Sequence, residues 1–288
     1  KMKFTKMHGA GNDYLYIDAR DHDDWSTDWP RLSQSMSDRH FGVGADGIIL
    51  IEDSGIADLK MRMFNADGSE GEMCGNGIRC FAKYAIDRGI ASPASHGLEV
   101  ETLAGVRTVV PIYDGDRIVS ARVAMGEPLL DPEDIPVSLD PQSGYPKGPV
   151  TGYPLAVDGM DLSLAFVSMG NPHAVTFLEQ PVGEFPLHAI GPKVEHHSIF
   201  PRRVNFETVN VTGPGKLTAR VWERGSGETL ACGTGACAIA VAARLLGLAD
   251  GQVYITLPGG TLTIDWDGEG EVYLEGPAEE IFSGEWPG

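Results

Sequence analysis

The sequence predicts an α+β protein made of two similar halves, each with many strands around one main helix. Two segments echo each other: residues 74–77 (Cys-Gly-Asn-Gly) and residues 232–235 (Cys-Gly-Thr-Gly) each precede an apolar run typical of a helix. The other apolar runs are short and strand-like. They do not alternate regularly with helices, so a doubly wound parallel sheet is not predicted.

The first half predicts two helices. Asp28 has the side chain of an N-cap and stands before Trp29 and Pro30, which suit a first helical turn. The helix that begins at Cys74 is expected to end near Gly89. Strands are predicted at 2–7, 14–17, 47–51, 59–64, 98–103, 106–112 and 117–124, the last two joined by a turn at 113–116.

The second half repeats this plan around a helix that begins at Cys232 and ends at Gly247. Its strands are predicted near 162–167, 174–177, 204–211, 216–222, 253–257, 262–266 and 271–274. Between them, residues 127–149 contain six prolines, which disfavour a helix or a central strand. We expect the chain to cross between domains there; the prolines are Pro128, Pro132, Pro136, Pro141, Pro146 and Pro149.

Residues 42–47 match the Gly-x-Gly-x-x-Gly pattern, with Asp67 following 20 residues later. A dinucleotide site needs a strand before this pattern and a helix after it. Here the predicted order is the reverse, so we do not expect a nucleotide site.

The composition restricts the partners. The 288 residues carry a formal net charge of −19 and the pI is about 4.7, which argues against nucleic acid and anionic membrane surfaces. The sequence shows neither a charged-then-apolar leader nor an uncharged apolar run long enough to span a membrane. Four cysteines fit a reducing cytoplasm better than a disulfide scaffold. We therefore expect a cytoplasmic protein with a small-molecule ligand.

The four cysteines divide into two classes. Cys80 and Cys237 lie inside the predicted helices and are expected to be buried apolar side chains. Cys74 and Cys232 precede the helices, where unpaired N–H groups and the helix dipole can lower a thiol pKa and bind a carboxylate. The spacing of the cysteines does not match a zinc site, and no metal is expected.

Two reactive thiols suggest an amino-acid racemase or epimerase. One thiolate can remove the α-proton while a thiol returns a proton to the opposite face. The helix N-terminal N–H groups of Gly75, Asn76, Gly233 and Thr234 can stabilise the carbanion that develops. Two other classes remain open: a dithiol redox protein, which lacks a C-x-x-C motif here, and a non-catalytic amino-acid binding protein.

The chain resembles the diaminopimelate epimerase family. The resemblance rests on residues 73–77 and 223–235, together with 9–13, 65–70, 170–173 and 204–206. It implies a cofactor-independent enzyme that interconverts LL- and meso-diaminopimelate in lysine biosynthesis, and a homodimer. It also implies two domains, each a β-barrel-like sheet around a central helix. With the C-terminal tail returning to the first domain, these are residues 1–126 plus 276–288, and residues 127–275.

By the same resemblance, Cys74 and Cys232 are the acid/base pair, while His173 and Glu223 tune the thiol pKa values. The remaining implied substrate contacts are Asn12, Asn65, Gly75, Asn76, Asn171, Asn205, Glu223, Arg224, Gly233 and Thr234. One position departs from the pattern, since this chain has Gly47 where some members of the family have a glutamine that binds substrate. A proline or hydroxyproline racemase is the nearest rival, but its first motif usually carries histidine in place of Asn76.

Overall fold

The computed structural model describes residues 1–20, 27–140, 142, 144–145 and 147–287, which form two compact units. One unit comprises Lys1–Ala124 with Glu275–Gly288, and the other comprises Met125–Leu274. Each unit combines strands in mixed orientation with one long buried helix. The predicted α+β class is therefore confirmed.

The first unit is built from strands around helix α2. In chain order its elements are β1 (Met2–Gly9), β2 (Asn12–Asp18), α1 (Trp29–Ser37), β3 (Gly47–Glu52), β4 (Leu59–Asn65), β5 (Glu70–Gly71), α2 (Gly75–Asp87), β6 (Leu98–Thr102), β7 (Gly105–Asp114), β8 (Arg117–Ala124) and β18 (Glu279–Trp286). Strand β1 pairs antiparallel with both β2 and β18, with Met2 opposite Trp286. Strands β2 and β3 run parallel, as do β4 and β6.

Helix α2 lies at the centre of this unit. Ten of its 13 residues are buried, and it packs against β1, β2, β3, β7 and β8. Gly89 follows it with φ +65°, a conformation that costs glycine little, and donates its N–H to Ile86 O. In a separate apolar cluster, Met36 of α1 packs together with Phe4 and Leu15 of the sheet.

The second unit repeats the plan around helix α4. In chain order it contains β9 (Tyr153–Val157), β10 (Met160–Ser168), β11 (Pro172–Phe177), α3 (Leu187–Glu195), β12 (Asn205–Gly213), β13 (Lys216–Glu223), β14 (Gly227–Thr229), α4 (Gly233–Leu245), β15 (Val253–Leu257) and β16 (Gly260–Asp265), and β17 (Tyr273–Pro277) begins at its end. Strands β11 and β12 are parallel, with His173 opposite Asn205. Ten of the 13 residues of α4 are buried, and the helix packs against β10, β11, β12 and β16.

Most predicted elements occur in the structure. Asp28 caps α1 by accepting the N–H of Arg31, and α1 ends at Ser37. Residues 42–47 follow α1 and lead into β3, whose first residue is Gly47, so the order is the reverse of a dinucleotide-binding site. Within the described part of 127–149 there is no named helix or strand, while Pro141 and Pro146 lie outside the described residues.

Of the helices and strands named above for the described residues, five were not predicted: β5, β9, α3, β14 and β18. Helix α3 is preceded by Pro186 and contains Pro192, two residues that indicate a break rather than a helix when read from sequence. Among the described residues, no helix is long and apolar enough to cross a membrane.

Candidate functional site

Cys74 is the N-cap of α2. Its backbone is extended, and its Sγ accepts the N–H of Gly77 at 3.4 Å. A Cβ on Gly77 would lie 2.8 Å from Ile49 Cδ1 and 3.4 Å from Cys74 Cβ. The small residue therefore lets the thiol fold back over the first helical turn.

Asn12 connects this thiol to an acidic group. The Cys74 thiol donates to Asn12 Oδ1 at 3.2 Å, and Asn76 Nδ2 donates to the same oxygen at 3.3 Å. Asn12 Nδ2 in turn donates to Asp46 Oδ2 at 2.6 Å. The carboxylate thus fixes the orientation of the amide that meets the thiol.

Arg79 places a fully buried guanidinium in the same turn of α2. It donates to Gly75 O and to Asn76 Oδ1, both at 2.9 Å, and to Pro277 O at 3.2 Å. Arginine remains protonated in proteins, so this is a fixed positive charge near Cys74. Sequence reasoning missed Arg79 because a charged residue on a helix usually indicates a solvated face.

Burial dominates the pKa of the Cys74 thiol and raises it above its usual value. Hydrogen bonds from the backbone of Gly77 and Asn76, a bond from Tyr14 and the charge of Arg79 oppose this rise. The helix terminus alone predicts a lowered pKa, so the net direction is opposite to that expectation. Loss of water around the thiol outweighs the hydrogen bonds and the charge that favour the thiolate.

Asn65 does not join the Cys74 group directly. It lies at the end of β4, donates to Ser69 Oγ at 3.0 Å and pairs in register with Gly47. The next residue, Ala66, donates its N–H to Asp46 O, so Asn65 is connected to the Asn12–Asp46 pair through its neighbour in sequence.

Gly47 has no room for a side chain. A Cβ there would lie 2.1 Å from Phe64 O and 3.0 Å from the ring of Tyr14. A glutamine at this position would require a different local backbone. The local structure of β3 and β4 therefore requires the glycine that this chain has where some family members have glutamine.

Cys232 is the N-cap of α4, in the same arrangement as Cys74 in α2. Its Sγ accepts the N–H of Gly235 at 3.3 Å and lies 3.5 Å from Thr234 Oγ1. A Cβ on Gly235 would lie 3.2 Å from Sγ and 3.0 Å from Glu207 Oε1. The thiol and this carboxyl group therefore border the same small space.

A chain of hydrogen bonds runs from Glu207 towards this thiol. Glu207 Oε1 lies 2.6 Å from His173 Nδ1, and His173 Nε2 lies 2.9 Å from Asn171 Oδ1. Asn171 Nδ2 then donates to Thr234 Oγ1 at 3.2 Å. Both side chains of the His173–Glu207 pair are completely buried, and Glu207 was not anticipated from the sequence.

The sheet register explains why these side chains meet. His173 on β11 stands opposite Asn205 on β12, and Glu207 follows Asn205 by two residues. Side chains two residues apart on a strand share a face of the sheet. No signal in the sequence marks Glu207 as a site residue, because β12 mixes polar and apolar residues along its length.

Burial raises the pKa of the Cys232 thiol well above its usual value, and the neighbouring side chains of Glu223 and Glu207 add to the rise. Hydrogen bonds from Thr234 and Gly235 oppose the rise. Cys232 therefore lies near carboxylates, whereas Cys74 lies near a guanidinium.

The remaining predicted residues lie around the loop that follows β13. Asn205 donates to Pro172 O at 2.9 Å and accepts the N–H of Arg224 at 2.8 Å. The Arg224 guanidinium donates to Arg202 O at 3.0 Å through Nη1. Glu223 Oε1 accepts the hydroxyl of Thr229 at 2.5 Å.

The other two cysteines are completely buried inside their helices, and burial raises the pKa of Cys80 to about 11. Among the described side chains, no three His, Cys, Asp or Glu residues come together as a metal site would require.

The sequence profile of the family described as Diaminopimelate epimerase matches residues 4–130 and 165–281 of this chain. The chain belongs to the diaminopimelate epimerase family.

Relatives in the diaminopimelate epimerase family match along almost their full length. The diaminopimelate epimerase of Acetivibrio thermocellus is 47% identical over 285 residues, which cover 99% of this chain and 98% of the relative. That of Methanococcus maripaludis strain C6 is 46% identical over 285 residues and 99% of both chains.

Solved structures share the fold of this diaminopimelate epimerase family member at low identity. A probable proline racemase from Agrobacterium radiobacter has a TM-score of 0.67 at 12% identity, covering 99% of this chain and 93% of the other. A PhzF-family phenazine biosynthesis protein from Bacillus anthracis has a TM-score of 0.66 at 16% identity, covering 98% and 97%. These neighbours support the fold and say nothing of the substrate.

Proposed function

We propose that this chain interconverts LL- and meso-2,6-diaminopimelate in lysine biosynthesis, with Cys74 and Cys232 as the acid/base pair. The observation that carries the proposal is the repeated thiol cap: each cysteine accepts an N–H of its own Gly-x-Gly turn and sits at the start of a buried helix. The names and full-length similarity of the curated relatives support the substrate.

The chemistry divides between the two sulfur atoms. A thiolate removes the α-proton, and the other residue, as a thiol, delivers a proton to the opposite face; the reverse reaction exchanges the roles. A thiol with a raised pKa is a stronger base once it is ionised, which suits a weakly acidic α-proton. Backbone N–H groups of Gly75, Asn76, Gly233 and Thr234 would stabilise the negative charge that develops.

The polar residues around the thiols would bind and orient the substrate. The proposed contacts are Asn12, Asn65, Asn171, Asn205, Glu223 and Arg224, with His173 and Glu223 also tuning the thiols. Within the described residues, the Nε and Nη2 donors of Arg224 have no hydrogen-bond partner. This half-buried fork suits the distal carboxylate of diaminopimelate.

We propose further that the two compact units are the two epimerase domains, each supplying one thiol. The reaction needs only thiols and hydrogen-bond donors, so we expect activity without an added cofactor. By family resemblance we expect a cytoplasmic homodimer, which light scattering at micromolar concentration will test.

The decisive experiment is incubation with LL-diaminopimelate in D2O, without added cofactor, followed by NMR. We expect meso product with solvent deuterium at the inverted α-carbon, because each thiol carries a single exchangeable proton. Return of the original hydrogen in most turnovers would contradict the two-thiol mechanism. Efficient turnover of proline instead would favour the racemase alternative.

Cysteine variants test the assignment residue by residue. Cys74→Ala and Cys232→Ala are expected to abolish epimerisation, since each removes a proton carrier. Cys80→Ala and Cys237→Ala are matched controls within the same helices and should retain most activity. Equal loss in all four variants would mean that the cysteines act only through packing.

A further inference from the structure

The protonation of the buried His173–Glu207 pair can be deduced from its neighbours. An amide oxygen only accepts hydrogen bonds, so His173 Nε2 must carry the proton that it shares with Asn171 Oδ1. At 2.6 Å, His173 Nδ1 and Glu207 Oε1 also need one proton between them. The pair therefore holds no net charge, which explains how a glutamate can be completely buried here.

The hydrogen-bond donors of this series then all point in one direction, from His173 towards Cys232. His173 donates to Asn171, and Asn171 donates through its amide to Thr234 Oγ1. Because Thr234 accepts that bond, its own O–H is free to point at Cys232 Sγ, 3.5 Å away. A hydroxyl that donates to sulfur favours the thiolate form.

Glu207 stands at the start of this chain. Its Oε2 has no hydrogen-bond partner among the described residues, so Oε1 and its bond to His173 are the only polar contact of the carboxyl group there. An unpaired buried oxygen costs less on a neutral carboxyl than on a carboxylate. Burial correspondingly raises the pKa of Glu207. Holding the imidazole is thus the main polar contribution that this residue can make.

We propose that Glu207 is a positioning residue for the epimerase reaction: it keeps His173 protonated at Nε2, and through Asn171 and Thr234 it supplies a hydrogen-bond donor to Cys232. This rests on the proposed function of Cys232 as an acid/base group. Glu207 acts as a hydrogen-bond partner rather than through its charge.

Two substitutions separate these roles. Glu207→Gln keeps a hydrogen-bond donor for His173 Nδ1 and should preserve the series of hydrogen bonds that leads to Cys232, so kcat should stay within about threefold of wild type. Glu207→Leu keeps similar volume and removes the donor; we expect kcat to fall by about 10²-fold with little change in KM. Calorimetric Tm values for both variants will show whether each is folded.

The resting thiol gives a readout that does not depend on turnover. Iodoacetamide labelling across pH, with each cysteine quantified by mass spectrometry, should show the Cys232 inflection about 0.5–1 pH unit higher in Glu207→Leu and unchanged in Glu207→Gln. Cys74 in the same samples is the internal control and should not shift. Equal shifts or equal losses of kcat in both variants would show that the charge matters and would overturn the proposal, as would an unaffected Glu207→Leu.

The wild-type protein offers a test that no folding defect can obscure. In protein labelled with 15N-histidine, NMR should show His173 protonated at Nε2; an unprotonated Nε2 would overturn the proposal. If wild type fails to epimerise diaminopimelate but the labelling and NMR results hold, the proposed function fails while the hydrogen-bond chain stands.

Discussion

Gly235→Ala perturbs the Cys232 site by a single methyl group. The new Cβ would lie 3.0 Å from Glu207 Oε1, 3.2 Å from Cys232 Sγ and 3.3 Å from Cys232 Cβ. Ordinary contacts are about 3.5–4.0 Å, so the thiol and the carboxyl group must move apart by several tenths of an ångström. Neither is free to do so, because one caps α4 and the other is bonded to His173.

The expected losses of stability and activity differ in size. Overpacking costs about 1–3 kcal/mol, and alanine in place of glycine in a helix returns about 1 kcal/mol. We therefore expect a net destabilisation of about 1 kcal/mol, or roughly 2–4 °C in Tm. Displacement of Cys232 Sγ, the proposed acid/base atom, is costlier, and kcat should fall by about 10²-fold.

The repeated motif supplies the comparison. At Gly77 the closest atom to a new Cβ is Ile49 Cδ1, the flexible end of a side chain, and Cys74 Sγ is 3.7 Å away. Gly77→Ala should therefore reduce kcat much less than Gly235→Ala. Gly183→Ala, where a Cβ meets nothing within 4 Å, is the neutral control. Steady-state kinetics will measure kcat and calorimetry will measure Tm for the three variants. A wild-type kcat in folded Gly235→Ala would refute the reasoning.

Two further predictions concern charge in the first unit. Arg79→Met should raise the pKa of Cys74, because the variant removes a buried positive charge, and labelling across pH should show the inflection move upward with Cys232 unchanged. Burial raises the pKa of Asp13, but hydrogen bonds and charges of Arg39 and Lys6 outweigh it and lower the net value. Because the pKa of Asp13 is lowered in the folded state, its carboxylate stabilises the fold above the unfolded pKa. This stabilisation is lost as the pH falls through the folded pKa. Asp13→Asn should therefore cost about 1–2 kcal/mol at pH 7. That difference between Asp13→Asn and wild type should shrink below about pH 4 in urea unfolding curves; a constant difference would count against the ion pair.

Local signals in the sequence were sufficient for the parts of the fold that place the thiols. Gly-x-Gly after each cysteine followed by an apolar run predicted α2 and α4, and Asp28 before a proline predicted α1. These signals act within one helical turn, so they need no knowledge of distant residues.

The parts that the sequence did not reveal depend on tertiary burial. Arg79 and Glu207 are charged residue types, and their completely buried positions follow from packing against neighbouring elements and, for Glu207, from a partner 34 residues away. Helix α3 forms despite Pro186 and Pro192, with Leu187 and Val194 buried in the apolar core of the second unit. In each case a long-range contact overrides a local preference.

The sulfur atoms of Cys74 and Cys232, which we propose as the acid/base groups, are also the acceptors that close the first turn of their helices. When a thiol loses its proton, that acceptor becomes charged and its bond to the glycine N–H strengthens. Removal of the α-proton by a thiolate would thus loosen one helix end, and delivery of a proton by the other thiol would tighten the other. Serine in place of either cysteine should keep the helix closed while removing the base, which would yield a folded, inert protein able to hold its substrate for crystallography.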